Sequence, residues 1–510
     1  MRIPYRFRDT LDEYRPSFLE KSAQSTRAAA FAQGMKSSDR LLEAWDETVA
    51  KKRDAPAILA TSGEIARTFG EIEQVTLELS QSLGAFAEGE ILAVQIGNHD
   101  DWPSIVIACL RRGLVVLPLE QSVSQQQRDE AFKLCKVSGT VFVGHGAGGL
   151  QISRLETSAT PPNWGERRPA LLKLTSGTTA TPRAVRFRSE QLLADCNQIC
   201  ESMGITCDDL NFGVIPISHS YGFSNLLTPL IALGVPMVVS RDRTPRAILA
   251  DVARSKATVF PGMPVFFQAF CEMEQLPALS KLRLCISAGA PLPRAIAKKF
   301  RKTFNLQIHS FYGASECGGI CYDREAVELD EGFVGDVMEG VSLEMIDPSA
   351  SASQVRVRSA AVGDGYFPEP ENEKLGGGVF VPDDLLARTD SGFRIVGRVS
   401  DVINVAGKKV NPAEVEAHLL RFTGVRQAVV FGRPAAPGGL RNEEVSACVV
   451  TEPGITEIDL LQFCRNQLST WQVPKQILIV DAIPTNERGK ISRRELSRHF
   501  SVDRRPSSWP

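Results

Sequence analysis

Residues 173–188 read KLTSGTTATPRAVRFR, and small or hydroxylated side chains follow one another from Thr175 to Thr179. Such a run buries little apolar surface, so it is poorly suited to a core. Its short side chains let backbone N–H groups approach an anion, and its hydroxyls add donors. Pro182 restricts the backbone, and Arg183 adds a fixed positive charge. Because apolar residues precede the run, we expect a strand that leads into a phosphate-binding loop.

The loop differs from the common nucleotide-binding loop, because the pattern GxxxxGK[ST] is absent from the chain. A second glycine motif, GHGAGG at 144–149, literally fits the dinucleotide-binding pattern GxGxxG. That fingerprint requires a helix directly after the glycines and an acidic residue about 20 positions further on. The segment that follows, LQISRLETSATPPN, has no helical pattern, so we expect no dinucleotide site there.

Length and composition indicate a soluble protein of several domains. A chain of 510 residues is too long for one core, so two or more domains are expected. Its hydrophobic content of 43% and charged content of 23% are typical of globular proteins. The net charge of −2 gives no general attraction for nucleic acid or an anionic membrane, so we expect neither as a partner.

The sequence predicts neither a secretory signal nor a membrane span. The first residues, MRIPYRFRDTLDEYRPSF, carry charges throughout, which is unlike a signal peptide. The uncharged stretch 211–240 contains several prolines, and we interpret it as a buried strand followed by a buried helix. The eleven cysteines are scattered without the CxxC spacing of zinc ribbons. They predict buried, reduced thiols and a cytoplasmic location.

Alternating helical and strand patterns predict an α/β protein. ILAVQIG at 91–97 and LVVLPL at 114–119 read as buried strands, and SIVIACLRRG between them reads as a helix. The rhythm recurs at 212–240 and 258–290, which predicts mostly parallel sheets wrapped by helices. From about 332 short strand patterns predict a small β subdomain that closes the large domain.

We divide the chain into three parts. Residues 1–38 are polar and form a peripheral segment, and residues 39–398 form a large amino-terminal domain. Residues 399–510 alternate strand and helix patterns on a smaller scale, which predicts a small α+β carboxy-terminal domain. We place the hinge between the two domains at Val399–Ser400.

Further motifs follow the first stretch in a fixed order. They are FYGASE at 311–316, FVPDDL at 380–385, GRVSDVINVAGKKVNPAEVE at 397–416 and PTNERGKISRREL at 484–496. With RTFGEIEQ at 67–74, which looks like an early helix start, they resemble the acyl-adenylate-forming superfamily of AMP-binding enzymes. That superfamily includes acyl- and aryl-CoA synthetases, free-standing acyl-adenylating ligases, peptide-synthetase adenylation domains and luciferase-like enzymes. The resemblance covers about residues 60–500.

The resemblance implies an ATP-dependent enzyme that activates a carboxylic acid. Such enzymes join a carboxylate oxygen to the α-phosphate of ATP, release pyrophosphate and pass the acyl group to a thiol. Two anions approach each other in the first step, so the site must supply positive charge, donors and Mg²⁺. The thiol belongs to CoA or to the phosphopantetheine arm of an acyl carrier protein, and the sequence leaves both open.

The resemblance places the phosphate-binding residues in two motifs. The loop residues that would hold the β- and γ-phosphates are Thr175, Ser176, Gly177, Thr178, Thr179 and Arg183. Arg183 stands where the family usually has lysine, and its planar guanidinium suits phosphate. Ala180 replaces the usual glycine and costs some backbone freedom. Ser315 would contact the α-phosphate, and Glu316 would hold Mg²⁺, because a hard cation prefers a carboxylate beside phosphate oxygens.

The resemblance assigns the adenosine to three segments. Tyr312 would lie against the adenine ring, and Gly313 lets the backbone come close. The turn SAGAPLP at 287–293 would face the base mainly through its backbone, although an ordinary helix entry explains the same residues. The turn residues with this assignment are Ala288, Gly289, Ala290 and Pro291.

The ribose contacts implied by the resemblance come from the last part of the large domain. Asp384 would accept hydrogen bonds from both ribose hydroxyls. The family motif here is TGD, and this chain departs from it in the first two positions, so Asp383 is the rival carboxylate. Arg398 would make a second ribose contact.

Catalysis is assigned to residues of both domains. Lys490 would bridge carboxylate and α-phosphate as charge develops. His219, in PISHSYGF, matches a position that lines the acyl pocket near the reacting carboxylate; a core histidine with satisfied hydrogen bonds is the alternative. Ser400 stands at the usual hinge, about which the small domain would rotate to bring Gly407 and Lys408 to the site for the thiol step.

The substrate class follows from the uncharged stretch 211–240. Amino-acid-activating relatives need an acidic residue near the pocket to pair with the substrate ammonium, and this stretch contains none. A carboxylic acid without an α-amino group, fatty or aromatic, is therefore expected. An amino-acid adenylation domain is one alternative. A catalytically inactive nucleotide-binding relative is the other, and Lys490 and Glu316 argue against it.

Overall fold

A computed structural model describes most of the chain. The described ranges are residues 39–144, 149–156, 161–165, 167–175, 183–242, 244–326, 331–405, 408–434, 443–483 and 493–500. The peripheral segment predicted for residues 1–38 lies outside them. Two groups of elements are seen, one before and one after the turn at Val399–Asp401.

Helices cover the faces of the sheets. Those before Val399 are α1 (Arg40–Lys52), α2 (Phe69–Ser82), α3 (Trp102–Arg111), α4 (Gln125–Cys135), α5 (Ser189–Met203), α6 (Ser220–Gly222), α7 (Thr228–Leu233), α8 (Pro245–Ser255), α9 (Pro264–Phe270) and α10 (Arg294–Phe304). Those after it are α11 (Pro412–Leu419), α12 (Glu457–Gln467) and α13 (Arg493–Phe500). Single turns are the 3₁₀ helices Leu83–Ala85 and Val399–Asp401 and the π-helical turn Phe223–Leu227.

The strands are given in chain order. In the first half they are β1 (Pro56–Leu59), β2 (Ile65–Thr68), β3 (Ile91–Gln95), β4 (Val115–Pro118), β5 (Gly139–Val143), β6 (Leu150–Arg154), β7 (Leu171–Thr175), β8 (Arg183–Phe187), β9 (Asn211–Gly213), β10 (Met237–Val239), β11 (Val259–Gly262), β12 (Leu284–Ser287) and β13 (Ile308–Ala314). Next come β14 (Gly318–Tyr322), β15 (Phe333–Val337), β16 (Val341–Met345), β17 (Val355–Ser359), β18 (Gly365–Phe367), β19 (Leu375–Gly376), β20 (Val379–Phe380), β21 (Asp384–Thr389) and β22 (Gly392–Arg398). The last are β23 (Ile403–Val405), β24 (Lys408–Val410), β25 (Val425–Pro434), β26 (Glu443–Thr451) and β27 (Gln476–Ile479).

Two large mixed sheets form the first group. One has the spatial order β2-β1-β10-β9-β11-β12-β13-β14-β15-β22-β21, and its strands from β1 to β13 are parallel. The other has the order β18-β8-β7-β4-β3-β5-β6, with a parallel centre from β7 to β5. A four-stranded sheet, β16-β17-β20-β19, lies beside them. The expected α/β class is confirmed, and antiparallel strands extend each parallel core.

Local sequence explains where the first helices begin. Asp39 caps α1, since its carboxylate accepts from the backbone N–H groups of Leu41 and Leu42 at 3.0 and 3.1 Å. The motif RTFGEIEQ starts α2 through a capping box, in which the Thr68 hydroxyl accepts from Glu71 N at 3.2 Å and the Glu71 carboxylate accepts from Thr68 N at 2.8 Å. The predicted helix start is therefore present.

Two ambiguous stretches are settled by the structure. The uncharged stretch 211–240 forms β9 and then a helix that runs from α6 through the π-helical turn into α7, as expected. Across the described residues, no helix combines the length and the apolar character that a bilayer crossing requires. The glycine motif at 144–149 is followed by β6, which pairs antiparallel with β5, so the helix that a dinucleotide fingerprint needs does not follow it.

The elements after Val399 enclose a core of their own. The strands β25, β26 and β27 form one sheet, β23 and β24 form another, and α11 and α12 pack beside them. Val430, Val445 and Leu460 are fully or almost fully buried in that core. A separate core is the mark of a separate domain. The elements agree with the predicted strand–helix–strand order, and the exact domain bounds stay a prediction.

Candidate active site

Several of the predicted site residues that the structure describes lie close to the end of strand β13 or contact residues there. Tyr312 and Gly313 end strand β13, and Ser315 and Glu316 follow in the turn to β14. A Cβ on Gly313 would lie 2.6 Å from the Gly318 carbonyl oxygen, so the close approach of the two sides of this turn requires glycine. The turn presents Ser315 toward α6 and Glu316 toward β18, while Tyr312 on β13 contacts β21.

A tyrosine, an aspartate and an arginine form the first cluster. Asp384 begins β21 and is 8% exposed. Its carboxylate accepts from the Tyr312 hydroxyl at 2.8 Å and from Arg398 Nε at 2.7 Å. Burial and the neighbouring Asp384 charge raise the pKa of Tyr312, which keeps the phenol a donor. The same carboxylate raises the pKa of Arg398. The structure thus places Tyr312, which is predicted to lie against adenine, in one hydrogen-bonded cluster with the two predicted ribose residues.

The rival carboxylate has a different partner. Both oxygens of Asp383 accept from Lys374 Nζ at 2.8 Å. The Asp383 side chain is 37% exposed, against 12% for that of Asp384. Of the two, Asp384 is therefore the carboxylate that contacts Tyr312 and Arg398. Its role toward ribose stays a prediction.

The predicted adenine turn follows β12. Ala288 is buried, and its N–H donates to the Gly262 carbonyl at 3.2 Å, which fixes the start of the turn. Gly289, Ala290 and Pro291 are exposed, so their backbone can meet a ligand. The turn also leads into α10, so the helix-entry interpretation remains beside the adenine-binding one.

Glu316 and Ser315 face different neighbours. Ser315 Oγ lies 3.0 Å from Ser220 Oγ at the start of α6. The carboxylate of Glu316 accepts from the Tyr366 hydroxyl at 3.2 Å. Loss of water contacts raises the pKa of Glu316, and the Tyr366 hydrogen bond and the Lys374 charge act in the opposite direction.

Glu316 offers one carboxylate to a hard cation at this turn. Among the described residues, no cluster of three or more His, Cys, Asp or Glu side chains could hold a metal. A hard cation that keeps water and substrate phosphate oxygens as ligands needs only one or two carboxylates. Glu316 therefore suits a cation that arrives with a nucleotide.

Arg183 contacts the ring of Tyr366, whose hydroxyl binds Glu316. Its guanidinium carbon is 4.3 Å from the centroid of the Tyr366 ring, within the range of a cation–π contact. It also forms an ion pair with Glu371, which raises the pKa of Arg183. Thr175 Oγ1 donates to the Arg183 carbonyl at 3.2 Å and closes the base of the loop. Tyr366 thus joins the predicted phosphate-binding charge to the predicted metal carboxylate.

His219 is half-buried and caps α6. Its Nδ1 accepts from the Tyr221 backbone N–H at 3.2 Å, so the neutral ring carries its proton on Nε2. The π-helical turn Phe223–Leu227 follows directly, and such turns are frequent at functional sites. The capping bond is what a core histidine with satisfied hydrogen bonds would make. The contact between the neighbouring Ser220 and Ser315 agrees with a position of His219 near the α-phosphate, since Ser315 is predicted to contact that phosphate.

Several predicted residues lie outside the described ranges. They are Ser176, Gly177, Thr178, Thr179, Gly407 and Lys490. Ser400 lies in the 3₁₀ turn between β22 and β23, where the hinge is predicted. Lys408 begins β24, is exposed, and has its Nζ 3.7 Å from the centroid of the Trp471 ring.

Three contacting residues were missed by sequence reasoning: Tyr366, Glu371 and Lys374. Arg493 lies three positions after Lys490 and binds Asp401 at 2.6 Å and Glu416 at 2.8 Å, so it ties α13 to the hinge turn. Glu371 is 188 positions from Arg183. In the sequence, the sign of a partner for an arginine is the acidic segment that follows GYF at 365–367 and contains Glu371. Spacing along the chain does not show which arginine this segment contacts.

Comparisons with known proteins show which families the chain matches. The sequence model of the family described as AMP-binding enzyme matches residues 45–367, and that of the AMP-binding enzyme C-terminal domain matches residues 414–490. An oxalate–CoA ligase of Arabidopsis thaliana is 26% identical over 89% of this chain and 97% of its own length. A 3,4-dihydroxybenzoate–[aryl-carrier protein] ligase of Bacillus anthracis is 28% identical over 66% of this chain and 75% of its own.

A solved structure shows the same fold. The ATP-bound MatB of Rhodopseudomonas palustris superimposes with a TM-score of 0.78 at 22% identity, and the match covers 90% of this chain and 99% of that one. The likeness extends over both groups of elements, before and after the turn at Val399–Asp401.

Proposed function

Because this chain belongs to the AMP-binding enzyme family, we propose that it is an AMP-forming acid–thiol ligase. It activates a carboxylic acid with ATP, releases pyrophosphate and transfers the acyl group to a thiol. The observation that carries the proposal is the continuous set of contacts from Arg398 through Asp384 and Tyr312 to the Glu316 turn, and from Glu316 through Tyr366 to Arg183. Such a set supplies partners for a sugar, a base and phosphates.

The proposed ribose contacts depend on the acceptor positions of Asp384 that Tyr312 and Arg398 do not occupy. An ionised carboxylate offers about four acceptor positions. Tyr312 and Arg398 occupy one on each oxygen, which leaves one on each oxygen for the ribose hydroxyls. We propose that Asp384 accepts both hydroxyls and that Tyr312, held by the same carboxylate, lies against the adenine.

The phosphate end supplies charge for the leaving group. Arg183, already oriented by Tyr366 and Glu371, would face the β- and γ-phosphates together with the loop Thr175–Thr179. Ser315 would donate to the α-phosphate, beside His219 and Ser220. Glu316 would hold Mg²⁺, which when bound neutralises phosphate oxygens. Positive charge at these positions stabilises pyrophosphate as it leaves.

The carboxylate that attacks the α-phosphorus reaches it from the side of His219. Lys490 is proposed to bridge the two anions in the transition state. The capping bond from Tyr221 to Nδ1 fixes the ring of His219 at this place, and His219 is proposed to help orient the carboxylate. After pyrophosphate has left, the small domain would rotate about the turn Val399–Asp401 so that Gly407 and Lys408 approach the site and a thiol enters.

We propose a substrate without an α-amino group, fatty or aromatic. The stretch 211–240, which passes His219, carries no acidic residue that could pair with an ammonium. The relatives are named for oxalate and 3,4-dihydroxybenzoate, which also lack an α-amine. One of them is a CoA ligase and one a carrier-protein ligase, so either thiol is a candidate acceptor.

The experiment is ATP–pyrophosphate exchange with a panel of fatty, aryl, dicarboxylic and amino acids. We expect exchange that requires Mg²⁺ and an acid without an α-amine. Exchange with amino acids alone would support the amino-acid adenylation alternative. A protein that binds ATP but catalyses no exchange with any acid would be the inactive relative. The active acids are then tested with CoA and with phosphopantetheine-bearing carrier protein.

A further inference from the structure

Tyr366 lies between two residues that the proposed reaction uses. It is 3% exposed and stands on β18, which pairs antiparallel with β8, so that Tyr366 is opposite Val185. Because side chains alternate along a strand, Arg183 shares a face of the sheet with Val185 and Tyr366. The Tyr366 ring and the Arg183 guanidinium are therefore diagonal neighbours across the two strands, which accounts for their contact at 4.3 Å.

The segment that carries Tyr366 holds Glu316 at two points. The Gly363 N–H donates to the backbone carbonyl of Glu316 at 2.9 Å. The Tyr366 hydroxyl donates to Oε1 of the Glu316 carboxylate at 3.2 Å. The first bond fixes the backbone of the turn, and the second fixes the carboxylate through one of its two oxygens. The other oxygen is left for a cation.

The same segment is anchored to the start of α5. The Asp364 carboxylate accepts from Arg188 Nε at 2.7 Å and from Gln191 Nε2 at 3.0 Å. Gln191 Nε2 also donates to the Val362 carbonyl at 2.7 Å. The Asp364 side chain is 10% exposed, so little water competes for these bonds. The protein thus sets the position of Tyr366 before a nucleotide binds.

We propose that Tyr366 is a positioning residue of the reaction. Its hydroxyl orients the Glu316 carboxylate for the metal–nucleotide complex, and its ring orients Arg183 for the phosphates. The inference rests on the proposed function, since it takes Glu316 as the metal carboxylate and Arg183 as a phosphate contact. A phenylalanine would fill nearly the same space and keep the contact with Arg183, so the hydroxyl separates a functional role from a packing role.

The test compares Tyr366→Phe, which removes only the hydroxyl, with Tyr322→Phe. Tyr322 is the matched control, because it is also 3% exposed and its ring stacks on His309, outside the site. Binding of the unreactive analogue α,β-methylene-ATP is measured by calorimetry at increasing Mn²⁺, so the readout needs no turnover. Loss of a partner of a metal ligand typically weakens metal affinity about 10- to 100-fold. We expect that increase in the Mn²⁺ requirement of Tyr366→Phe, and wild-type binding by Tyr322→Phe.

Tyr366→Leu removes the ring together with the hydroxyl. In EDTA, where no metal contributes, we expect Tyr366→Leu to bind the analogue about two- to fivefold more weakly than Tyr366→Phe, because Arg183 loses its cation–π contact. Equal metal-free affinity of the two variants would overturn the part of the proposal that concerns the ring.

A double variant shows whether the hydroxyl acts through Glu316. If it does, adding Tyr366→Phe to Glu316→Gln should weaken Mn²⁺-dependent binding no further, whereas losses that add would overturn this route. Tyr366→Phe that melts at a lower temperature but binds Mn²⁺ with the analogue as Tyr322→Phe does would overturn the proposal in favour of a structural role. Should one of the two Tyr366 variants not fold, the other carries the metal test, because both lack the hydroxyl.

The proposed function can fail separately. Wild-type protein without exchange on any acid would contradict the ligase activity, while the Mn²⁺ comparison between variants would still decide the role of Tyr366. Conversely, wild-type exchange together with an unaltered Mn²⁺ requirement in Tyr366→Phe would leave the ligase standing and remove the Tyr366 hydroxyl from it.

Discussion

Replacement of Asp384 by asparagine tests how the nucleotide is held. Asparagine keeps the size of the side chain but offers one oxygen where the carboxylate offers two. The Tyr312 hydroxyl and Arg398 Nε now occupy one oxygen each, at 2.8 and 2.7 Å. In the variant these donors and the two ribose hydroxyls compete for a single carbonyl oxygen, and the new amide N–H groups face other donors. At least one ribose hydroxyl therefore loses its acceptor.

The size of the effect follows from the hydrogen bond that is lost. A hydrogen bond to a charged group contributes ~1.5–3 kcal/mol, on the order of ten- to a hundredfold in affinity. We therefore expect ATP binding to weaken by that factor. Because Asp384 is buried and binds Tyr312 and Arg398, the melting temperature of the variant is measured as well, so that a loss of stability is told apart from a loss of ATP affinity.

The matched control is Asp383→Asn, because Asp383 is the neighbouring carboxylate and binds Lys374 instead. Calorimetric titration with ATP, 2′-deoxy-ATP and 3′-deoxy-ATP measures the effect. Wild-type protein and Asp383→Asn should bind ATP more tightly than the deoxy analogues, and Asp384→Asn should discriminate less. Normal ATP affinity in Asp384→Asn, or the larger loss in Asp383→Asn, would refute the assignment of ribose binding to Asp384.

Four further outcomes are expected. Arg183→Ala should raise the KM for ATP on the order of ten- to a hundredfold, because a charge-assisted phosphate contact is lost, and an unchanged KM in pyrophosphate exchange would exclude that contact. Lys490→Ala should reduce exchange by several orders of magnitude while calorimetry still detects ATP binding, since its charge acts in the transition state; near-normal exchange would remove it from the mechanism. Ser400→Pro, which fixes φ near −65°, should spare exchange and abolish thioester formation, whereas equal loss of both would point to misfolding. Iodoacetamide at pH 8 should label exposed Cys207 first, because burial raises the pKa of Cys109 to about 12; mass spectrometry that finds Cys109 labelled equally fast would contradict its burial.

Patterns of neighbouring residues predicted the local elements well. The strand–helix–strand order at 91–119 and the strand followed by a helix at 211–240 are present, because burial on both faces gives continuous apolar runs. The order of strands in the sheets could not be predicted in the same way. For example, β18 pairs with β8 at the register Tyr366 to Val185, and no local pattern links two segments so far apart in the chain.

The candidate site was predictable where the resemblance supplied a motif. Tyr312, Asp384 and Arg398 were each named from separate motifs, and the structure places them in contact. The choice between Asp383 and Asp384 depended on which carboxylate faces Tyr312, which is a tertiary fact. Tyr366 lies in no quoted motif and was missed.

The most direct measurement of the central claim follows oxygen from the acid into the nucleotide. An active acid, labelled with ¹⁸O at both carboxylate oxygens, is incubated with the enzyme, MgATP and a thiol acceptor. The ¹⁸O content of each product is then measured by mass spectrometry. Attack of a carboxylate oxygen on the α-phosphorus and later cleavage of the acyl C–O bond by the thiol should leave one ¹⁸O in AMP and one in the thioester, with no label in pyrophosphate. Formation of ADP and labelled inorganic phosphate, or of AMP without label, would contradict an acyl-adenylate and with it the account of this site.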